Sequence, residues 1–396
     1  MCVASGRWVY YAFAIKTIIM SIFTYKNLYR AYLECRKNKR KTINALKFEI
    51  DFENNLRRLL EELKTRKYRP GRSICFAVKE PSLREIFAAD FRDRVVHHLL
   101  VGELLPIFEP RFIYDSHACR PKKGTHLAVR RLYKSMKSFQ RKDFYPHTRN
   151  TSARLTASEA GKPVGAGVHY GQLDIKGFFM SIDHNVLYSI LKTKLEKICN
   201  QKSARPGMNF QKLEEILWLS RTIIFHKCSE NYVTRGDARL LAKIPPHKSL
   251  FHQKGEKGLP IGNYSSQFFG NLYLDGLDQF AKRTLKCRRY VRYVDDFVIL
   301  EKSAERLKFL RDAIDEFLRK NLRLELNFKK CRIQPIGRGI DFLGYFLKPD
   351  RIFVRRKVVK RYRNKLYPIA IGLRETSLKS LLSMAHSYAG HFKHAR

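Results

Sequence analysis

The chain is short of acids. It has 36 Asp and Glu against 79 Lys and Arg in 396 residues, which leaves a formal charge of +43. It also lacks any CxxC or CxxH pairing: Cys2, Cys35, Cys75, Cys119, Cys199, Cys228, Cys287 and Cys331 are scattered singly. That argues against a zinc site and for a reducing, cytoplasmic setting. No internal repeat is present, and no long uninterrupted apolar run. The nearest is WVYYAFAIKTIIMSIF (8–23), which Lys16 breaks and which no clear small-residue cleavage site follows. Neither a signal peptide nor a membrane role is the favoured reading, because basic residues run through the whole chain instead of clustering beside one span. Translation starting at Met20, with 1–19 an upstream extension, is an alternative account of this stretch.

A surplus of positive charge this large repels itself unless a polyanion screens it, so nucleic acid is the first partner to consider. Hydrophobic content of 44% and aromatic content of 12% are those of a folded protein. Leu56, Leu59, Leu60 and Leu63 sit at helical spacing, and Pro70-Gly71 ends that run. ICFAVKEPSLREIFAA reads as two strands about a Lys79–Ser82 turn, and DRVVHHLLVGELLPIF as a helix. Residues 139–170 read as a polar surface insertion with no core role, and Cys228–Gly258 as irregular. A helix is expected after Gly262. RRYVRYVDDFVILEK reads as a hairpin, LRLELN and GIDFLGYFL as strands, and the basic tail from Val358 as helical. Strands alternating with helices indicate an α+β or α/β centre with helical ends.

In so basic a chain, acids within apolar strands stand out. Asp174 ends the strand-like HYGQLDI, and Asp295-Asp296 interrupt YVDDFVIL. Adjacent carboxylates repel and cost stability unless a cation lies between them. Hard oxygen donors on strands suit Mg²⁺, and two such ions can activate a hydroxyl and stabilise departing pyrophosphate. The plainer alternative is a hairpin turn that uses Asp for local hydrogen bonds. Asp183 in SIDH reads as a helix N-cap, and Asp341 is a weaker candidate.

These segments resemble the reverse transcriptases, and among them those of diversity-generating retroelements. LREIFAADFRDRVVHHLL and FIYDSHACRPKKGTHLAVRRL are similar to the two finger motifs. QLDIKGFFMSIDH, GLPIGNYSSQFFGNLYLDGLDQF, YVRYVDD, LELNFKKCRI and GIDFLGY follow in the family's order. The resemblance implies a right-hand polymerase fold, with an N-terminal extension (1–27), fingers (28–170), palm (171–345) and a short thumb (346–396). It implies Asp174, Ile175 and Asp295 as ligands of two Mg²⁺ ions, Asp296 as the third catalytic carboxylate, and Lys330, or its neighbour Lys329, as proton donor. Lys79, Arg84, Arg120 and Gln267 would hold the incoming deoxynucleotide, with Phe179 excluding a ribose 2′-hydroxyl by shape. Phe342, Leu343 and Gly344 would grip the primer.

Group II intron and retron enzymes usually carry Gln-Gly and then Ser-Pro where this chain has Ile261-Gly262 and Ser266-Gln267. Loss of an amide side chain beside the nascent pair implies low fidelity, in the family chiefly opposite template adenines. The implied partners are a template-repeat RNA, its cDNA, dNTPs and a basic accessory variability protein, with Arg355, Arg356, Lys357, Lys360, Arg361, Arg363 and Lys365 placed to track a nucleic-acid backbone. Three alternatives stay open: a group II intron or retron-type enzyme, an RNA-dependent RNA polymerase, and an RNA-binding scaffold on an inactive polymerase fold.

Overall fold

The structure is a computed structural model, and it describes residues 21–37, 42–80, 82–144, 167–200, 209–373 and 375–395. Helices α1 (Tyr25–Arg36), α2 (Ile43–Glu49) and α3 (Phe52–Lys64) precede strands β1 (Ser73–Val78) and β2 (Arg84–Ala88) and helix α4 (Phe91–Phe108). Next are α5 (Thr125–Phe144), β3 (His169–Asp174), α6 (Phe178–Ser181), α7 (His184–Asn200) and α8 (Phe210–Ile224). β4 (Tyr232–Thr234), α9 (Ala238–Ala242) and α10 (Tyr264–Gln279) lead to β5 (Tyr290–Tyr293) and β6 (Asp296–Glu301). α11 (Ala304–Leu322), β7 (Arg332–Pro335), β8 (Ile340–Phe342), β9 (Tyr345–Leu347), β10 (Ile352–Val354), α12 (Arg356–Ala370) and α13 (Leu378–Phe392) follow.

Local chemistry sets several of these starts. The Thr24 hydroxyl accepts from Asn27 N at 3.2 Å, and the Asn209 side chain accepts from Lys212 N at 2.8 Å. Asp183 accepts from Val186 N at 3.1 Å, the cap its sequence context suggested, and Arg323 closes a 2.8 Å ion pair on its other oxygen. In α3, Leu56, Leu59 and Leu63 are buried at the expected spacing.

The chain divides into two compact units, each assembled from separated stretches. The first takes the described parts of 1–112, 177–276 and 320–324. Its sheet runs β2-β1-β4, with β1 and β2 antiparallel and β4 parallel to β1. Register partners Cys75 and Phe87 point into a cluster with Met180, Cys228 and Leu250. The stretch Cys228–Gly258 therefore contributes β4 and α9 where an irregular segment was expected.

The second unit takes the described parts of 113–176, 277–319 and 325–396. Its antiparallel sheet runs β5-β6-β3-β7, and a separate β8-β9-β10 meander packs into the same core. From α5, Ala128, Val129, Leu132, Met136 and Phe139 pack against Tyr170, Val291, Val298 and Leu300. Burying each large side chain there contributes roughly 1.5–3 kcal/mol.

Two expectations are corrected by this unit. α5 continues to Phe144 with Phe139 buried, so the stretch from 139 carries core residues; 145–166 lie outside the described residues. LRLELN forms no strand, only a single bridge from Leu326 to Ile175. The Asp315 carboxylate takes the Leu326 N–H at 2.8 Å, which a strand ladder would have needed. The apolar stretch 8–23 lies mostly outside the described residues. Among those described, no helix is long and apolar enough to cross a membrane.

Candidate active site

The sheet register places the acids. Asp174 is the last residue of β3 and pairs with Asp296, the first of β6, which also pairs with Tyr293 of β5. Val294 and Asp295 form the turn of that hairpin. Val294 has φ +56°, a left-handed value that is costly for a β-branched residue and tolerated where surrounding contacts enforce it. Arg292 supplies such contacts. It is fully buried, and its Nη1 donates to the Val294 carbonyl at 2.9 Å. Its Nε and Nη2 grip the Asp278 carboxylate at 2.8 and 2.6 Å, and Nη2 also donates to the Ser116 hydroxyl at 3.0 Å. The Tyr290 hydroxyl donates to the same Asp278 carboxylate at 2.8 Å. Asp295 is thus presented by a turn with a buried ion pair beneath it, and Ile175 N reaches the Asp295 carbonyl at 3.4 Å.

Burial pushes the Asp296 pKa up to about 7, and the charges of Asp295, Asp174 and Asp341 push the same way. One hydrogen bond from Gln172 Nε2 at 3.3 Å opposes them. Asp174 is better supplied: its Oδ2 accepts from Lys330 Nζ at 2.9 Å and Asn327 Nδ2 at 3.3 Å, and its carbonyl from Asn327 N at 2.8 Å. Lys330 is exposed at the rim, so it reaches the carboxylate from solvent.

In the first unit, the Ile261–Asn263 loop is stitched along β2. Phe87 N donates to the Ile261 carbonyl at 2.9 Å, and Ala89 N to the Asn263 side chain at 3.0 Å. Between them Gly262 has φ +125°, and a Cβ there would lie 2.7 Å from an Ile86 methyl and 3.2 Å from the Phe87 carbonyl. The glycine is required by this approach of backbone to strand. The side chains of Ile261 and Phe179 both pack against the Cys75–Phe87–Met180 cluster. Gly270 leaves room for the aromatic pair, since a Cβ there would be 3.3 Å from the Phe178 ring and 3.4 Å from the Phe179 ring.

Residues 78–347, over half the chain, match the family described as Reverse transcriptase (RNA-dependent DNA polymerase). The chain belongs to the reverse transcriptase family. It has that family's α+β, right-hand polymerase fold. It is similar to protein YkfC of Escherichia coli strain K12, 22% identical over 339 residues, covering 77% of this chain and 74% of YkfC. It is equally similar to the group II intron-encoded protein LtrA of Lactococcus lactis subsp. cremoris, 22% identical over 360 residues. That match takes in 82% of this chain and 55% of LtrA, so the chain spans about half of that relative's length. Among solved structures, a Candida albicans telomerase in complex with telomeric RNA aligns with 13% identity and TM-score 0.47, over 78% of this chain and 52% of that one.

Within this reverse transcriptase the remaining expected residues are placed as follows. Lys79 is exposed just after β1, and Arg84 is half-buried at the start of β2 with Nη2 3.3 Å from the Ser82 hydroxyl. Gln267 is exposed on the first turn of α10, beside buried Ser266. Arg120 is buried, and its Nη1 donates to the Ile113 and Ser116 carbonyls at 2.6 and 2.8 Å. Phe342 is buried, and Leu343 and Gly344 form the β8–β9 turn, both with positive φ. The Gly344 carbonyl accepts from Arg355 N at 3.0 Å.

Asp174, Asp295 and Asp296 offer the hard oxygen donors that a divalent cation takes, on one β3–β6 register pair and its adjoining turn. Among the described residues, no three His, Cys, Asp or Glu side chains converge on a single ion position. Lys330 and Gln172 take carboxylate oxygens that an ion would otherwise share. Sequence reasoning missed Arg292 and Asp278. The available signal was an arginine inside an apolar strand, YVRYV, and an acid inside an apolar helix.

Proposed function

We propose that the chain is an RNA-directed DNA polymerase that extends a primer on an RNA template, and that it belongs to the diversity-generating class whose cDNA is error-prone. The carrying observation is the register pair Asp174–Asp296 with Asp295 in the adjoining turn, which gathers three carboxylates at one end of the sheet. Asp174 and Asp295, with the Ile175 backbone, are the residues that would hold Mg²⁺. Bound there, the ion supplies the positive charge that favours an ionised primer 3′-hydroxyl and a departing pyrophosphate.

The chain's own groups do the rest. The primer oxygen forms a bond to the α-phosphorus as the bond to pyrophosphate breaks. Lys330 carries a proton at the rim of the site; to give it to pyrophosphate it must first leave Asp174. Asp296, ionised, adds the negative charge that draws cations to the site. Phe179 stands for the wall that a 2′-hydroxyl would strike. The template-repeat RNA, dNTPs and an accessory variability protein are the partners of this reading.

Support for the error-prone class comes from Ile261, whose side chain joins an apolar cluster with Phe179 and offers no polar group to a base pair. The relative LtrA favours a second reading, a group II intron type of enzyme. Copying a defined RNA template separates them. The error-prone reading expects frequent misincorporation opposite adenine, reduced by Ile261→Gln. An accurate copy by the wild type refutes it while leaving the polymerase reading intact, and an error spectrum untouched by Ile261→Gln refutes the role given to Ile261.

A further inference from the structure

Helix α5 has two faces of opposite character. Ala128, Val129, Leu132, Met136 and Phe139 are buried in the core. The other face carries Arg130, Arg131, Lys134 and Lys137 and borders a groove of about 760 Å³ that Ile352, Lys393 and His394 also line. Arg131 is paired with Asp115 at 2.6 Å. No carboxylate pairs with Arg130, Lys134, Lys137 or Lys393 among the described residues, and no acid lines the groove. Like charges three and four apart on a helix cost a few tenths of a kcal/mol each, roughly 0.2–0.5 per pair. A stripe of them therefore weakens the free helix, unless a polyanion lies across it.

The groove also contains aromatic rings. Tyr114, 59% exposed, and Tyr133 both line it; Lys123 Nζ sits 3.5 Å from the Tyr114 ring centroid and Lys137 Nζ 4.9 Å from that of Tyr133. Cations interleaved with exposed aromatics are the composition of a single-strand nucleic-acid surface, where phosphates meet the charges and bases stack on rings. An acidic peptide would satisfy the lysines and leave Tyr114 without use. At 1.5 Å per residue, Arg130 to Lys137 extends about 10 Å, enough for two or three phosphates. None of the lining residues belongs to the carboxylate site.

We propose that this groove is a second RNA-binding site that holds a single-stranded segment of RNA apart from the primer terminus. It tethers RNA to the enzyme independently of catalysis.

The test uses the full chain saturated with an unlabelled primer–template and the next dNTP, to which a labelled uridine homopolymer is added. Wild type should bind the labelled RNA, and Asp296→Asn should bind it equally, so that failure of the polymerase reading is distinguished from failure of this one. Arg130→Gln/Lys134→Gln/Lys137→Gln should bind at least tenfold more weakly, with the slope of log affinity against log salt shallower by about 2, from ~0.7 per single-strand contact. Lys393→Gln alone should reduce that slope by about 0.7. Tyr114→Ala should weaken RNA binding without affecting polyglutamate. Single-nucleotide extension of a short pre-annealed duplex should be unchanged in all of these except Asp296→Asn. Unaltered affinity and salt slope in the triple variant, or polyglutamate displacing the RNA at equal charge concentration, would overturn the proposal.

Discussion

Replacing Arg292 by alanine should damage this protein in two separable ways. Arg292 and Asp278 are 1% and 0% exposed and 2.6 Å apart, so the variant leaves a carboxylate buried without its guanidinium. Removing one partner of such a pair costs about 3–5 kcal/mol. Among the described residues the Tyr290 hydroxyl still donates to Asp278, which offsets a fraction of that. The second effect is local. The Val294 carbonyl loses its 2.9 Å tether, and the residue at φ +56° can relax toward an ordinary backbone conformation, moving the neighbouring Asp295. A displacement of about 1 Å in a catalytic group costs on the order of 10²-fold in rate. Urea unfolding would measure the first effect, and single-turnover primer extension at a temperature where the variant is folded would measure the second. The double variant Arg292→Met/Asp278→Leu sharpens the test. Exchanging the whole pair for apolar groups should recover most of the stability and little of the rate, because the tether to Val294 is still gone. An Arg292→Ala protein within about 1 kcal/mol of wild type, or a double variant of full activity, would show that the buried pair does not hold the Asp295 turn.

Further predictions concern the first unit. Phe179→Ala should relax the preference for deoxynucleotides over ribonucleotides by roughly 10–200-fold, the range for shape exclusion, read from competing single-nucleotide additions; unchanged discrimination would remove Phe179 from the role of gate. Gly262→Ala should destabilise by about 1–3 kcal/mol in urea melts, since the φ of +125° and the Ile86 contact both resist a Cβ. His97 is fully buried, and burial pulls its pKa down to about 3, with nearby His98, His226 and Arg94 adding to the shift. The unfolded chain takes up that proton below about pH 6.5 while the folded chain does not. His97 therefore favours folding in full above pH 6.5, and that contribution should fall by about 1.4 kcal/mol per pH unit as pH drops toward 3. His97→Gln should flatten this part of the stability–pH curve measured against wild type.

The local elements were largely legible in the chain. Alternation in SICFAV and REIFA, helical spacing in Leu56–Leu63 and the punctuation of YVRYVDDFVIL each describe short-range geometry, and β1–β2, α3 and β5–β6 realise it. The acids were legible because the chain has few of them. Long-range pairings were not legible. Nothing local in YVRYV states that Arg292 will turn inward to meet Asp278 of α10, or that the Asp315 carboxylate will claim the Leu326 amide and stop LRLELN from forming a strand. Nor does the motif around Arg120 state that it is buried with its Nη1 donating to the Ile113 and Ser116 carbonyls. Nor does IGN state that Gly262 will lie against β2, where a Cβ would meet Ile86 and the Phe87 carbonyl, with its loop held by hydrogen bonds from Phe87 N to Ile261 and from Ala89 N to Asn263.

Asp174, Asp295 and Asp296 as the centre of a template-directed deoxynucleotide transfer are tested by single-nucleotide extension of a primer annealed to RNA, with Mg²⁺, comparing wild type with Asp174→Asn, Asp295→Asn and Asp296→Asn proteins whose urea midpoints show that they are folded. Wild type should add the templated deoxynucleotide, and each variant should lose at least about 10³-fold, as expected when groups acting as a unit are broken. Extension at wild-type rate by any of the three would contradict that role.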